Sequence, residues 1–229
     1  MTRNSSELKI ISTKDGSKSI QSDEYNSSYH SHFGAITESK HVFIENGLKY
    51  RSRNKKNIKV LELGFGSGLN ALLVWDYIIK RQDLHVDYYS IEKKPIPSFI
   101  YDKLEYDTLL HDLAEQPTYK IHSLPWNSEV RLEKNFTIKK IQADFLETDL
   151  ETGYDLIFFD AFAPDSQPEL WTLAVFSKLY NSLLPGGILV TYCAKGYVKR
   201  NMKSAGFTIQ ALPGPPGKRE ITRAEKIEA

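Results

Sequence analysis

The sequence predicts a Rossmann-like α/β fold: a mostly parallel seven-stranded sheet with helices on both faces. Strand and helix patterns alternate from about residue 50 onwards, as they do in parallel sheets covered by helices. A glycine-rich segment joins the first apolar strand of this series to the first helix, and several strands end in an acidic residue. The 229 residues suffice for one such domain with a sizeable core.

The individual elements follow from the spacing of apolar residues, because buried parallel strands are short apolar runs and amphipathic helices repeat apolar residues every three to four positions. The predicted strands are Ile58–Leu63, Val86–Ile91, Glu129–Leu132, Phe136–Gln142, Tyr154–Asp160, Ile188–Tyr192, Phe207–Gln210 and Arg219–Ala224. Glu129–Leu132 and Phe136–Gln142 are expected to form a hairpin whose second strand continues the sheet, and Arg219–Ala224 is expected to close the sheet. The predicted helices are Glu38–Asn46, Asn70–Lys80, Pro97–Ala114, Leu170–Leu184 and Lys195–Ala205. Pro185-Gly186-Gly187 is expected to end the fourth of these helices.

The composition points to a water-soluble protein of a reducing compartment. Hydrophobic residues make up 41% and charged residues 26% of the chain, as in ordinary globular proteins. The first ten residues lack the apolar core of a secretory signal, and no apolar run is long enough for a membrane span. The one cysteine, Cys193, excludes an internal disulfide framework. We therefore expect a cytoplasmic protein with no membrane partner.

The net charge of +1 hides two basic clusters. Six lysines and arginines fall between Lys49 and Lys59 with no acid among them, and eight bases against three acids follow from Lys195 to the end. A basic face of this kind would suit a polyanion such as nucleic acid. An ordinary solvated surface gives the same pattern, so charge alone leaves both readings open.

The glycine-rich turn predicts the cofactor. Gly64, Gly66 and Gly68 alternate, whereas the dinucleotide pattern GxGxxG would place its third glycine at Leu69. Glu62 ends the preceding strand, where a carboxylate would repel a pyrophosphate but suits the ammonium of a methionine moiety. The turn thus favours S-adenosylmethionine over NAD; a dinucleotide oxidoreductase and a glycine turn that binds nothing are the alternatives.

Two further strand ends fit an adenosine ligand. Glu92 ends the second strand, 28 residues after Gly64, where nucleotide-binding folds place an acid that accepts hydrogen bonds from the ribose hydroxyls. Asp144 and Phe145 follow the third sheet strand, where a carboxylate and a ring could hold the adenine. NAD enzymes use the same acid, so Glu92 supports adenosine without identifying the cofactor.

The fourth strand carries the candidate catalytic residue. Asp160 follows a run of apolar residues and precedes Ala161-Phe162-Ala163-Pro164, so it is expected at the carboxyl edge of the sheet, beside the ligand crevice. There it could orient an amine and accept its proton; the alternative is an acid that only caps a turn. The histidines show no metal-ligand spacing, and Cys193 is expected to pack in the core.

At these residues the sequence resembles the methyltransferase domain of the MnmC family of bacterial tRNA-modification enzymes. The resemblance covers almost the whole chain. The resembling segments are Tyr29-His30-Ser31, Gly34-Ala35, Glu38-Ser39, Glu62–Asn70, Ile91-Glu92-Lys93, Phe159–Trp171, Leu184–Lys203, Ala205-Gly206-Phe207 and Gly217–Glu220. The aspartate-x-Phe-Ala-Pro segment with its downstream Pro-x-x-Trp is far more specific than the glycine turn.

The resemblance implies a class I S-adenosylmethionine methyltransferase that converts 5-aminomethyl-(2-thio)uridine at the tRNA wobble position to 5-methylaminomethyl-(2-thio)uridine. Many members are fused to a flavin-dependent oxidase. This chain ends shortly after Lys218-Arg219-Glu220, so the stand-alone form, with no flavin and no metal, is expected. A methyltransferase acting on another amine or small molecule, and a binding protein that has lost the reaction, remain the competing hypotheses.

The motifs and the resemblance together predict the site. Asp160 is the expected catalytic residue, and residues 1–45 are expected to form an extension that packs on the site of a methyltransferase domain spanning residues 46–229. The expected S-adenosylmethionine contacts are Tyr29, Ser31, Glu62, Gly64, Phe65, Gly66, Gly68, Asn70, Glu92, Lys93, Asp144 and Phe145. The expected contacts to the anticodon stem-loop are Phe162, Pro164, Lys199, Arg200, Lys218 and Arg219.

Overall fold

The protein is described here by a computed structural model, which covers residues 8–110, 112–113 and 115–227. Its strands are β1 Leu8–Ser12, β2 Lys18–Ser22, β3 Ser27–Ser28, β4 Asn57–Leu63, β5 His85–Glu92, β6 Glu129–Glu133, β7 Phe136–Gln142, β8 Tyr154–Phe159, β9 Leu183–Thr191, β10 Thr208–Pro213 and β11 Glu220–Glu225. Eight of them form the central sheet, in the order β10-β11-β9-β8-β4-β5-β7-β6.

The mostly parallel sheet is confirmed. Strands β7, β5, β4, β8 and β9 run parallel to one another, while β6, β10 and β11 pair antiparallel at the two edges. The predicted count of seven strands is wrong, because β6 also joins the sheet and makes eight. Its Val130 lies opposite Ile138 of β7, and both pack against the core, which gives the first arm of the hairpin an apolar face to bury.

The helices cover both faces of the sheet. They are α1 Ala35–Ser39, α2 Lys49–Arg51, α3 Leu69–Ile79, α4 Ser98–Tyr101, α5 Pro117–Ser123, α6 Leu173–Ser182 and α7 Gly196–Ser204, with a π-helical stretch Lys40–Leu48 joining α1 to α2 and 3₁₀ turns at Tyr106–Thr108 and Pro168–Trp171. Successive strand residues point to opposite faces. Val60 and Phe158 therefore enter the core beneath α3, while Leu61 and Phe159 enter the core beneath α6 and α7.

The predicted long helix Pro97–Ala114 is wrong within the described residues, and Ala114 itself lies outside them. The helix α4 covers four residues, and Glu105 has a left-handed φ of 55°, which no regular helix accepts. The buried Tyr106 then donates its hydroxyl to Lys18 O at 3.1 Å. This tertiary anchor to β2 overrides the local helical pattern, and the following helix α5 was not predicted.

The segment Pro185-Gly186-Gly187 does not form a loop after a helix. The helix α6 ends at Ser182, and β9 begins at once and contains the three residues. Backbone hydrogen bonds join Gly186 N to Lys226 O at 2.7 Å and Lys226 N to Gly187 O at 2.9 Å. The segment is thus held by Lys226, the residue that follows β11. The proline and the two glycines in the sequence do not reveal this pairing.

The N-terminal segment forms its own antiparallel sheet of β1, β2 and β3, which the sequence did not predict. Hydrogen bonds from Tyr29 N to Ile20 O at 2.8 Å and from His30 N to Ser19 Oγ at 3.2 Å hold the segment after β3 against β2. This arrangement brings residues 25–31 over the carboxyl ends of the central strands. No helix in the part of the chain described here has the length and apolarity to cross a bilayer.

Candidate active site

A cavity of about 280 Å³ lies at the carboxyl ends of the parallel strands, where open α/β sheets bind their ligands. Its wall takes residues from the ends of β4, β5, β7, β8 and β9, and residues 25–31 form its roof. The cavity therefore crosses most of the sheet, and the roof comes from the N-terminal segment.

The glycine turn after β4 forms the floor of the middle of the cavity. Gly64 and Gly66 have φ angles of 90° and 50°, which glycine adopts readily. A Cβ atom at Gly64 would lie 3.0 Å from Asp160 O, and one at Gly66 would lie 3.1 Å from the Tyr29 ring. The turn is thus packed closely against both neighbours, and Gly68, also predicted to bind the cofactor, lies off the cavity wall and precedes α3.

Glu92 lies on the wall beside this turn. Its Oε2 accepts a hydrogen bond from Gly66 N at 3.0 Å, and its Oε1 accepts one from Lys94 N at 2.7 Å. The two backbone donors fix the carboxyl group, while burial raises its pKa. Each carboxylate oxygen can accept a second hydrogen bond, so two hydroxyl groups of a ligand could be held here.

The end of the cavity at β7 carries a carboxylate and a ring. Asp144 accepts hydrogen bonds from Lys93 Nζ at 2.6 Å and Leu146 N at 2.9 Å, and the Lys93 contact is the main reason that its pKa is lowered. Phe145 is buried beside it, with Lys178 Nζ 4.6 Å from the ring centroid. Both predicted residues line the cavity, as does Lys93.

Asp160 occupies the middle of the wall at the end of β8, half-buried, and Asn70 Nδ2 donates a hydrogen bond to its Oδ2 at 2.8 Å. Burial and then the nearby Glu38 raise the pKa of Asp160 to about 7, while Asn70 and Lys218 act in the opposite direction. An acid with a pKa near neutrality can both accept and release a proton under physiological conditions.

Sequence reasoning missed the buried acid Glu38. It lies on the cavity wall, its Oε1 accepts a hydrogen bond from Ser31 N at 3.1 Å, and its Oε2 forms an ion pair with Lys218. Lys218 Nζ also lies 3.9 Å from the Tyr192 ring centroid. Glu38 belongs to the residues that carry the family resemblance but was not predicted as a site residue, and its position at the start of a predicted helix does not distinguish a surface acid from a buried one.

Aromatic rings close the cavity from above. Tyr25 stacks on Phe162 with ring centroids 4.1 Å apart and an angle of 16° between the planes. Tyr29 meets Phe162 edge-on at 5.0 Å. The N-terminal segment and the loop after β8 therefore meet over the site, and Tyr25, like Tyr192, was not among the predicted residues.

Glu62 does not lie on the cavity wall. Its side chain is 1% exposed and accepts a hydrogen bond from Ser90 Oγ at 2.5 Å. Burial raises its pKa to about 8. The structure thus places Glu62 behind the cavity wall and not on it, where the predicted contact with a methionine ammonium would be made.

The predicted tRNA-binding residues are only partly brought together. Phe162 and Lys218 line the cavity; Pro164 is buried behind the wall, and Lys199, Arg200 and Arg219 lie outside it. Arg200 and Arg219 are exposed, whereas Lys199 pairs with Glu220 at 2.5 Å.

The basic cluster Lys49–Lys59 lies at the opposite end of the sheet, because it precedes and begins β4. Five of its members pair with acids: Lys49 pairs with Glu45, Arg51 and Lys55 with the buried Asp155, Lys56 with Asp83 and Lys59 with Glu151. This half of the basic surface therefore lies away from the cavity, which is at the carboxyl ends of the strands.

The described residues contain no group of three or more histidine, cysteine, aspartate or glutamate side chains arranged to hold a metal ion. Cys193 is buried, as expected. The side chains that line the cavity supply carboxylates, lysine ammonium groups, a histidine, amides, hydroxyls and aromatic rings.

Comparisons with known proteins agree with this geometry. Residues 107–227 match the family described as S-adenosyl-L-methionine-dependent methyltransferase. The chain is 30% identical over 219 residues to the tRNA 5-methylaminomethyl-2-thiouridine biosynthesis bifunctional protein MnmC of Ralstonia nicotianae, covering 89% of this chain and 32% of that protein. The corresponding protein of Cupriavidus metallidurans is 31% identical over 98% of this chain and 34% of its own. The chain thus spans about a third of the length of these curated relatives.

Among solved structures, MNMC2 from Aquifex aeolicus superimposes with a TM-score of 0.77 and 25% sequence identity, over the whole of this chain and 73% of that one. Spermidine synthase from Thermotoga maritima gives a TM-score of 0.58 at 14% identity, which shows a shared fold. The predicted Rossmann-like fold of a class I S-adenosylmethionine methyltransferase is therefore confirmed.

Proposed function

The chain belongs to the S-adenosyl-L-methionine-dependent methyltransferase family, and on this premise we propose that it methylates the amine of 5-aminomethyl-(2-thio)uridine at the wobble position of tRNA. Asp160 carries the proposal: a carboxyl group with a pKa near 7 lies beside the glycine turn, in a cavity closed by aromatic rings. The relatives named for 5-methylaminomethyl-2-thiouridine biosynthesis support the choice of substrate.

The cavity residues fit S-adenosylmethionine. Asp144 and Phe145 would hold the adenine, and Glu92 would accept hydrogen bonds from the ribose hydroxyls, since its two oxygens are fixed by backbone donors and keep free acceptor positions. The close-packed glycine turn would carry the methionine part towards Asp160. When bound, the cofactor supplies a methyl group on a sulfonium; the nitrogen–carbon bond forms as the sulfur–carbon bond breaks, and the bonding electrons stay on sulfur.

The acceptor nitrogen needs a free lone pair, whereas an alkylamine with a reference pKa of about 10 is mostly protonated at neutral pH. Asp160 would accept one proton from the ammonium and hold the neutral amine in line with the methyl group. Glu38 adds a second carboxylate at the same end of the cavity, which favours the entry of a cationic amine. Lys218 partly offsets this charge and so limits the attraction.

The protein surface around the cavity offers contacts to a nucleic acid. Arg200, Lys203 and Arg219 are exposed on α7 and just before β11. Phe33 is 45% exposed, its ring lies against Gly217, and Lys14 Nζ is 4.4 Å from the ring centroid. Exposed rings next to cations suit the unstacked bases of a single-stranded loop. We therefore place the anticodon loop on this side, which implies a cytoplasmic protein.

The N-terminal segment from residue 8 to about 45 would act as part of the site, because Tyr25, Tyr29 and Ser31 line the cavity. It would be an extension that completes a methyltransferase domain, while the first seven residues of the predicted extension lie outside the described part of the chain.

The direct test is incubation of the purified protein with S-adenosylmethionine and tRNA that carries 5-aminomethyluridine, followed by nucleoside mass spectrometry. We expect 5-methylaminomethyluridine to form, and Asp160→Ala to form it at least about a hundredfold more slowly under the same conditions. A free amine such as 5-aminomethyluridine nucleoside serves as the comparison substrate. Equal turnover of the nucleoside and the tRNA would favour a small-molecule methyltransferase instead.

A further inference from the structure

Glu62 is a buried acid that does not line the cavity. It lies behind Asn70, the residue that contacts Asp160. Ser90 Oγ donates a hydrogen bond to Glu62 Oε2 at 2.5 Å, and the Asn70 and Tyr88 side chains lie near enough to the Glu62 carboxyl group to lower its pKa. Asn70 in turn donates to Asp160. A chain of polar groups thus leads from the interior of the sheet to the candidate catalytic residue.

Three atoms of these polar groups are buried without a hydrogen-bond partner among the described residues: Glu62 Oε1, Asn70 Oδ1 and Tyr88 Oη. The first two are both acceptors when Glu62 is ionised, and a buried acceptor without a donor is costly. A proton on Glu62 Oε1 supplies the donor that Asn70 Oδ1 lacks. One proton on Glu62 thus satisfies both Glu62 Oε1 and Asn70 Oδ1.

We propose that Glu62 is a neutral carboxylic acid and a positioning residue, which donates its proton to Asn70 Oδ1 and thereby aims Asn70 Nδ2 at Asp160 Oδ2. The inference rests on the proposed function, because the position of Asn70 affects the reaction only if Asp160 accepts the proton of an amine. It replaces the predicted contact between Glu62 and a methionine ammonium.

The orientation of Asn70 decides which acid can act. An ionised Glu62 would attract the Asn70 amide nitrogen and turn the amide oxygen towards Asp160, which would then need its own proton to avoid two facing acceptors. A neutral Glu62 reverses this arrangement and leaves Asp160 ionised, oriented and able to accept. Burial favours this assignment, because Glu62 is 1% exposed whereas Asp160 lies half-buried on the cavity wall, and a carboxylic acid in an apolar site stays neutral and can donate.

Two substitutions distinguish a neutral Glu62, which donates a hydrogen bond, from an ionised Glu62, which can only accept one. In Glu62→Gln the amide nitrogen can donate to Asn70 while the amide oxygen still accepts from Ser90. In Glu62→Ala both contacts are lost. We expect Glu62→Ala to lower kcat on tRNA about tenfold more than Glu62→Gln does, with the affinity for S-adenosylmethionine within about threefold of wild type in both. A glutamine variant that loses cofactor affinity tenfold or more would show that Glu62 acts as an anion, and would overturn the proposal.

Infrared spectroscopy tests the protonation state without any substrate. At pH 7 the wild type should show a carbonyl band of a protonated carboxylic acid that Glu62→Gln lacks and Asp160→Asn retains. Identical spectra for wild type and Glu62→Gln would contradict a neutral Glu62. Because this measurement needs no tRNA, a failure to methylate 5-aminomethyluridine would overturn the proposed function and leave the infrared result to decide the state of Glu62.

Discussion

Asn70 Nδ2 lies 2.8 Å from Asp160 Oδ2 and joins the first residues of α3 to the end of β8. The two residues are 90 positions apart in the sequence, and they meet because β4 and β8 are parallel neighbours whose carboxyl ends reach the same edge. The contact fixes the candidate catalytic carboxylate from one side while its other side faces the cavity.

The role of Asp160 is tested by two substitutions. Asp160→Ala should lower turnover about a hundredfold or more, because orientation and proton acceptance are both lost. Asp160→Asn keeps an acceptor oxygen but is a much poorer base, so substantial activity in this variant would indicate orientation alone. Mass spectrometry of tRNA nucleosides gives the rates, and calorimetry with S-adenosylmethionine checks that the cofactor still binds. Wild-type turnover in Asp160→Ala would move the active centre elsewhere.

The charges around Asp160 should shift the pH dependence of kcat/KM in opposite directions. Activity requires the ionised carboxylate, so it should rise with pH through about 7. Glu38 raises the pKa of Asp160 and Lys218 lowers it. Glu38→Gln should therefore move the rising limb to lower pH, and Lys218→Met should move it to higher pH. Shifts of the same sign in both variants would mean that another group titrates.

Glu92 should account for a large part of the cofactor affinity. Glu92→Ala removes charge-assisted hydrogen bonds of about 1.5–3 kcal/mol, which corresponds to a roughly ten- to hundredfold weaker binding of S-adenosylmethionine. The exposed Glu147, which follows the same edge of the sheet but does not line the cavity, provides the matched control as Glu147→Ala. Calorimetry that finds both variants equal to wild type would exclude the ribose contact.

The two basic regions should behave differently towards tRNA. Charge reversal at Arg200 and Lys203 should weaken tRNA binding and reduce its salt dependence, since fewer counterions are released. The same reversal at Lys55 and Lys56, at the opposite end of the sheet, should leave tRNA affinity unchanged. Filter binding at several salt concentrations measures both. A loss confined to the second pair would place the tRNA on the other end of the molecule.

The buried Glu62 should make stability fall as pH rises. Its pKa is raised from 4.5 to about 8, so between these values the folded protein holds a proton that the unfolded chain has released. The free energy of unfolding should then fall with pH by up to about 1.4 kcal/mol per unit. In Glu62→Gln, which cannot ionise, this contribution disappears and the slope becomes less steep. Urea unfolding between pH 5 and 8 measures the slopes; parallel curves for the two proteins would argue against a protonated Glu62.

Local sequence patterns were sufficient to predict the central strands and the helix that follows the glycine turn. The apolar runs of β4, β5 and β8 and the glycine turn predicted the order of strand and helix, and the rule that parallel strands share a carboxyl edge predicted that Glu92, Asp144 and Asp160 would meet at one cavity. The helix at Pro97–Ala114 failed because its pattern is local, whereas Glu105 and Tyr106 are held by contacts to the N-terminal segment.

The sequence by itself determined the parallel sheet, the cofactor turn and the acids at the strand ends, because these depend on neighbours along the chain. Only the tertiary structure decided what each acid can do. Glu62 and Asp160 both end apolar strands, but the first is enclosed, which raises its pKa, while the second opens to the cavity and is influenced by Glu38 of the N-terminal segment. Charge state depends on burial and on residues distant in the chain, and no spacing of residues along a sequence specifies either.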